Sequence, residues 1–172
     1  TEQFTATNTG PFGVLWFNRI EAFSFDSDGS ILSWEDVLHE LVVSTDGDDT
    51  IYGFYYQDEI DGGAGNDYLS GGDHGDTYYF GRGDGSDTIE DGQNNILTPD
   101  ADKIVFKSGV AFEDVTFTHV AGGDLLVSIN GTDDVIRIVD QYTVVETGPF
   151  GAQAFDRIEE FHWADGTVKL WP

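Results

Sequence analysis

From Ser44 onward the chain reads in nines. Residues 44–52 are STDGDDTIY, 53–61 GFYYQDEID, 62–70 GGAGNDYLS and 71–79 GGDHGDTYY; a looser copy, FGRGDGSDTI, occupies 80–89. Position six is aspartate in every copy: Asp49, Asp58, Asp67, Asp76 and then Asp87. Position eight is large and apolar: Ile51, Ile60, Leu69, Tyr78 and Ile89. A period this short leaves room for one turn and one short strand per copy. Two copies then make one full coil, and turns two copies apart stack on the same side.

Each position has a physical role. Glycines allow positive φ and close approach of neighbouring backbone. The aspartate offers a hard oxygen as the chain leaves the turn, and the apolar residue two places on points into the coil. Calcium takes roughly 6–8 oxygen ligands, which carbonyls and carboxylates from two stacked turns can supply. The stacking places the Asp49 turn on the Asp67 turn and that on the Asp87 turn. On the other side the Asp58 turn lies on the Asp76 turn, with Asp102-Lys103-Ile104 as a further unit that could close over Asp76. The expected ligand set is Thr45, Gly47, Asp49, Asp58, Gly62, Gly63, Ala64, Gly65, Asp67, Gly71, Asp73, Asp76, Gly83, Asp87 and Asp102, with Asp46 as a further third-position carboxylate.

These nonapeptides resemble the RTX, or haemolysin-type, calcium-binding repeat, G-G-x-G-x-D-x-U-x with U apolar; GGAGNDYLS fits at every position. The weakest copy is 53–61, where Tyr55 and Tyr56 replace turn glycines. The resemblance extends to DKIVF, GGDLLVSINGTDDVIRIVDQY and IEEFHWADGTVKL, which look like the segment flanking such repeats. It implies an all-β fold, a short parallel β-roll capped by antiparallel strands. It also implies an exported bacterial protein, secreted unfolded through a one-step (type I) channel and folded by extracellular calcium, as in toxins and adhesins.

Charge agrees with a cation partner. Thirty-three acidic residues face seven basic ones, for a net charge of −26. Nucleic acid and anionic membrane surfaces need a basic footprint that is missing. Self-repulsion of that size opposes compaction unless cations offset it. Without cysteine there is neither a disulfide nor a thiolate metal site. No signal peptide and no apolar run of about 18 residues is present, so a helical membrane span is not expected.

A longer repeat frames the short one. Residues 2–25, EQFTATNTGPFGVLWFNRIEAFSF, recur at 140–163 as DQYTVVETGPFGAQAFDRIEEFHW; after a one-residue slip Asp28-Gly29 matches Asp165-Gly166 and Trp34 matches Trp171. The absent initiator Met and this duplication suggest one period of a tandem array, with neighbouring modules as partners. The rival is one domain in which both copies pack symmetrically. The expected organisation is a duplicated tail at 1–32, a capping helix at 33–43, the roll at 44–92 and an antiparallel cap at 93–172. Ser33 and Asp36 form a capping box, and Trp34, Val37, Leu38, Leu41 and Val42 an apolar face. Strands are expected at 115–120, 125–130 and 135–139, with Asn130-Gly131 and Asp165-Gly166 as hairpin turns.

Catalysis finds little support. The four histidines lack zinc-site spacing, and there is neither a nucleophile elbow nor a P-loop. Arg82-Gly83-Asp84 is an RGD tripeptide, but the repeat already calls for glycine and aspartate there. Trp16, Trp34, Trp163, Trp171, Phe12 and Phe150 are expected in core packing; exposed side by side, they would instead form a glycan- or surface-binding adhesin face.

Overall fold

The computed structural model describes residues 22–24, 31–33, 44–54, 56–91, 101–143, 145–146, 152–153 and 157–171. The chain divides into two compact units, Thr1–Leu41 and Val42–Pro172. In the first, β1 (Ala22–Ser24) pairs antiparallel with β2 (Ile31–Ser33). Ser33 therefore ends a strand, and the remainder of the capping helix expected at 33–43 lies outside the described residues.

The second unit is built from two- to five-residue strands. β3 (Thr50–Tyr52), β5 (Tyr68–Ser70) and β7 (Ser86–Ile89) run parallel in one sheet. β4 (Glu59–Asp61), β6 (Thr77–Phe80) and β8 (Asp102–Phe106) run parallel in a second. The chain alternates between sheets, one strand per nonapeptide, as the period requires. Among the described residues no helix is long and apolar enough to cross a membrane.

The roll does not stop where the nonapeptides do. After β8 come a 3-10 turn (Phe112–Asp114), β9 (Val115–His119) and β10 (Leu125–Ile129). β11 (Val135–Ile138) then returns to pair in parallel with β7. Past a small hairpin, β12 (Val145–Glu146) with β13 (Ala152–Gln153), the strand β14 (Ile158–His162) pairs in parallel with β8. β15 (Val168–Leu170) folds back antiparallel on β14, as β10 does on β11 and β9 on β10. The antiparallel strands expected at 93–172 are thus grafted onto the edges of both sheets, and β11 and β14 are themselves rungs of the coil. The hairpin turns fall at Gly131 and Gly166, with φ of 82° and 90°.

Position eight builds the core. Along one sheet Ile51, Leu69, Ile89 and Ile138 stand in register; along the other, Ile60, Tyr78, Ile104 and Phe161. All eight are buried in one cluster. Each is the single buried residue of a short strand in the first rungs, so a rung contributes about 1.5–3 kcal/mol of apolar burial and cannot stand without its neighbours. Tyr78 fits at a core position because its hydroxyl accepts the Gly71 N–H at 2.6 Å.

The turns touch rung on rung, and glycine sits at the contacts. Gly65 (φ 147°) and Gly85 (φ 101°) form a bridge, and a Cβ on Gly85 would overlap the Gly65 carbonyl. Gly109 has a similar φ of 89° but open space around it. Gly109→Ala should therefore cost only backbone strain, about 1 kcal/mol. Gly85→Ala should cost several-fold more, because it also separates two turns. Chemical denaturation of both variants in millimolar calcium checks the ordering.

Candidate metal centre

The turns stack in two columns, each carrying a ladder of carboxylates. In the first, Asp67 Oδ1 accepts the Asp49 backbone N–H at 2.8 Å, and Asp87 Oδ1 accepts that of Asp67 at 3.0 Å. In the second, Asp76 Oδ1 accepts from Asp58 at 2.7 Å and Asp102 Oδ1 from Asp76 at 2.7 Å. Glu159 Oε2 continues this column by accepting the Asp102 N–H at 2.9 Å. The stacking order is the one the nine-residue period implies.

The second oxygen of each carboxylate separates the rungs. In the outer turns it is used locally: Asp49 Oδ2 accepts the N–H of Thr45 at 2.7 Å and its hydroxyl at 2.9 Å, and Asp58 Oδ2 accepts the Phe54 N–H at 2.5 Å. In the inner turns the equivalent donors are diverted. Gly63 N–H goes to Asp61 and Gly72 N–H to Asp91, both at 3.0 Å. Asp67 Oδ2 and Asp76 Oδ2 are left buried without a hydrogen-bond partner, and so is Asp73 Oδ1. Position-one glycine is required here for space, not for φ. A Cβ on Gly62 would overlap Asp67 Oδ2, and one on Gly71 would overlap Asp76 Oδ2.

Burial is nearly complete: Asp76 is 0% and Asp67 2% exposed. Burial pushes the Asp76 carboxyl up to about 8; the Asp58 N–H opposes the rise, and the charges of Asp91, Asp58 and Asp73 add to it. Burial likewise pushes Asp87 up to about 7 and raises Asp67 and Glu159. A buried ionised carboxylate lacking a cation is strongly unfavourable. Carboxylate oxygens of Asp76, Asp91 and Asp102, all buried, lie within 4.8 Å of one another. Two oxygens each about 2.4 Å from a calcium ion stand at most about 4.8 Å apart, so the spacing suits that ion. An all-oxygen donor set fits a hard dication.

Of the other expected ligands, Thr45 and Gly63 form one inter-turn bridge, Ala64 lies between bridged Gly63 and Gly65, and Gly65 packs against Gly47. Gly83 lies apart from these contacts: its N–H, like that of Gly85, donates to Asp134 at 3.0 Å. The chain supplies its own cation at this level. Lys107 Nζ bridges Asp61 Oδ1 at 2.7 Å and Asp84 Oδ2 at 2.8 Å. The RGD tripeptide is consumed by structure, since Arg82 pairs with Asp114 at 2.9 Å and Asp84 with Lys107.

The nonapeptide reading passed over Asp91, Asp134, Glu159 and Lys107. Glu159-Glu160-Phe161 does repeat the carboxylate-x-apolar signal, as does Asp134-Val135-Ile136. The latter misleads by two residues, because Ile138 and not Ile136 is level with Ile89. Nothing local marks Lys107. Among the aromatics, Trp163 is 4% exposed and stacks on Phe106 at 4.8 Å, which removes it from any glycan face. Trp171 packs among Phe117, Phe161 and Tyr142. Trp16, Trp34, Phe12 and Phe150 lie outside the described residues.

Residues 124–168 match the haemolysin-type calcium binding protein related domain. The match begins at Asp124, spans β10, β11 and β14, and ends on the first residue of β15. It lies wholly outside the nonapeptides, yet within the unit whose two sheets they begin. It bears out the resemblance to RTX-type modules and supports calcium as the ion. No curated protein matches the chain.

The pH dependence follows from the raised carboxyls. An unfolded aspartate titrates near 3.9. The ion-free fold holds extra protons between that value and about 8 at Asp76, so its stability falls as pH rises through this window. Calcium must displace those protons, so its affinity should rise from pH 6 to 8, with proton release detectable by calorimetry in buffers of different ionisation enthalpy. Asp76→Asn keeps the Oδ1 acceptor but removes the charge. It should weaken calcium binding at least tenfold while leaving the ion-free chain no less stable at pH 8.

Proposed function

We propose that this chain is a non-catalytic calcium-dependent folding module of an exported bacterial protein, disordered in a low-calcium cytosol and folded on meeting extracellular calcium. The observation that carries this reading is the pair of buried oxygens without partners, Asp67 Oδ2 and Asp76 Oδ2, in otherwise well-bonded turns. No lysine or arginine occurs between Arg19 and Arg82, and the ion pair that Lys107 makes within the turns at 44–79 is with Asp61, with neither Asp67 nor Asp76. The ligands would be the inner carboxylates Asp67, Asp76 and Asp102 with carbonyls of the stacked turns. Bound calcium would neutralise them and join each turn to the next.

Binding energy then becomes folding energy. Extracellular calcium modules bind at roughly 0.1–1 mM. At ten times Kd each site adds about 1.4 kcal/mol, so several sites together can decide whether a small roll folds. The module would serve as a spacer and folding unit in a larger toxin, adhesin or exoenzyme, delivered through a one-step secretion channel. The alternative, a glycan- or surface-binding face, rests on exposed aromatics; Tyr52, 63% exposed beside Tyr68, is its best candidate.

Circular dichroism and size-exclusion chromatography should show an expanded chain of little order in chelator and a compact β-rich one in millimolar calcium, with several ions bound by calorimetry. An equally folded chain in both conditions would sink the reading. A glycan array probed with the calcium-loaded chain and with Tyr52→Ala tests the alternative.

A further inference from the structure

The two hairpins β1–β2 and β14–β15 are the same object. β1–β2 pairs Ala22 with Ser33, Phe23 with Leu32 and Ser24 with Ile31. β14–β15 pairs Glu160 with Leu170, Phe161 with Lys169 and His162 with Val168. Under the sequence duplication, with its one-residue slip in the turn, these are the same three pairs.

The two differ in what lies on the other side. β14 is held to the roll through four groups. It pairs in parallel with β8, Glu160 level with Lys103 and Phe161 with Ile104. Glu159 accepts the Asp102 N–H. The buried Gln141 side chain clasps the Ile158 peptide, donating to its carbonyl at 2.8 Å and accepting from its N–H at 2.9 Å. The core-facing Phe161 completes the set. Every one of these residues recurs in the first copy, as Gln3, Ile20, Glu21 and Phe23. Positions that do not clasp the roll have drifted, such as Glu160 to Ala22 and His162 to Ser24. Among the described residues, however, β1 pairs only with β2. A strand that pairs on one side among the described residues and keeps every docking residue in its sequence copy suits parallel addition to another sheet.

We propose that residues 2–34 are the closing segment of a preceding roll: β1 docks in parallel on a β8-type strand, D-K-I-V-F, of an upstream copy of this module, with Glu21 accepting the N–H of that copy's Asp102 equivalent. The module then carries two unlike docking ends, and successive copies join by strand addition. Its own 140–171 segment closes its own roll, and its 2–34 segment closes the one before. This builds on the calcium reading, but its test is scored only against the parent chain's own calcium response.

Two variants test it. In the first, residues 140–171 are replaced by a second copy of residues 2–34 in the otherwise full chain. The hybrid should fold in millimolar calcium to the parent's circular dichroism signature, whereas deletion of 140–171 should abolish folding. A hybrid as disordered as the deletion, beside a parent that folds, overturns the proposal. In the second, residues 44–139 are placed ahead of Glu2 of the full chain, which rebuilds an upstream module across a natural junction. Ala22→Cys and Lys103→Cys of the upstream copy should cross-link in calcium, and the ions bound should about double. The same Ala22→Cys paired instead with Lys103→Cys of the downstream copy should not cross-link, because Glu160 occupies that place. Cross-linking to the downstream copy, or no gain in bound calcium, shows that the segment closes no upstream roll.

Discussion

One hydrogen bond governs this molecule: a backbone N–H of one rung donating to the carboxylate of the next. It recurs from Asp49 to Asp67 to Asp87 and from Asp58 to Asp76 to Asp102 to Glu159. It ties turns together along the coil, where strands of three residues provide few ladder bonds of their own. It also stacks like charges at the rung spacing of about 4.8 Å and buries them. Most other features follow from that conflict. Position-one glycines exist because the carboxylate fills the space a side chain would take. Asp67 and Asp76 each use one oxygen on the ladder and keep the other buried without a hydrogen-bond partner, which favours a cation there.

The chain meets the demand differently along its length. In the later rungs it supplies its own positive charge. Lys107 lies between Asp61 and Asp84, Arg82 pairs with Asp114, and Arg137 pairs with Asp124 at 2.5 Å. Asp124 is held below its usual range by the Asp140 N–H and by Arg137. Asp67 and Asp76, by contrast, are in none of these ion pairs and are pushed upward by burial. The same coil thus pairs some of its carboxylates with its own cations and buries others, Asp67 and Asp76, without one. Of these pairs, Arg137–Asp124 lies within the segment that matches the haemolysin-type related domain.

The duplicated tail adds a different kind of constraint. β14 is at once the last parallel rung and the first strand of a hairpin, so it both closes the roll and presents an antiparallel edge. The sequence copy of that strand, β1, forms the same antiparallel hairpin and keeps the residue types with which β14 meets β8.

Much of this was legible in the sequence. The nine-residue period alone determined the strand length, the alternation between two sheets, the identity of the core column and the stacking order of the aspartates. It could do so because every one of those features is local or repeats at a constant offset. What escaped it arises where the offset breaks. The insertions after β8 and β11 hide that Ile138 and Phe161 are further rungs, so the coil's true length emerged only from strand pairing. Glu159 carries the carboxylate-x-apolar signal but off the constant offset, whereas Asp91 joined the aspartate column, and Lys107 reached Asp61 across 46 residues, through contacts that no local pattern encodes. The sequence by itself determined which residue types line the turns and hence which ion they suit. Only the tertiary structure decided which oxygens remain without partners, because that depends on which distant donors arrive to satisfy them.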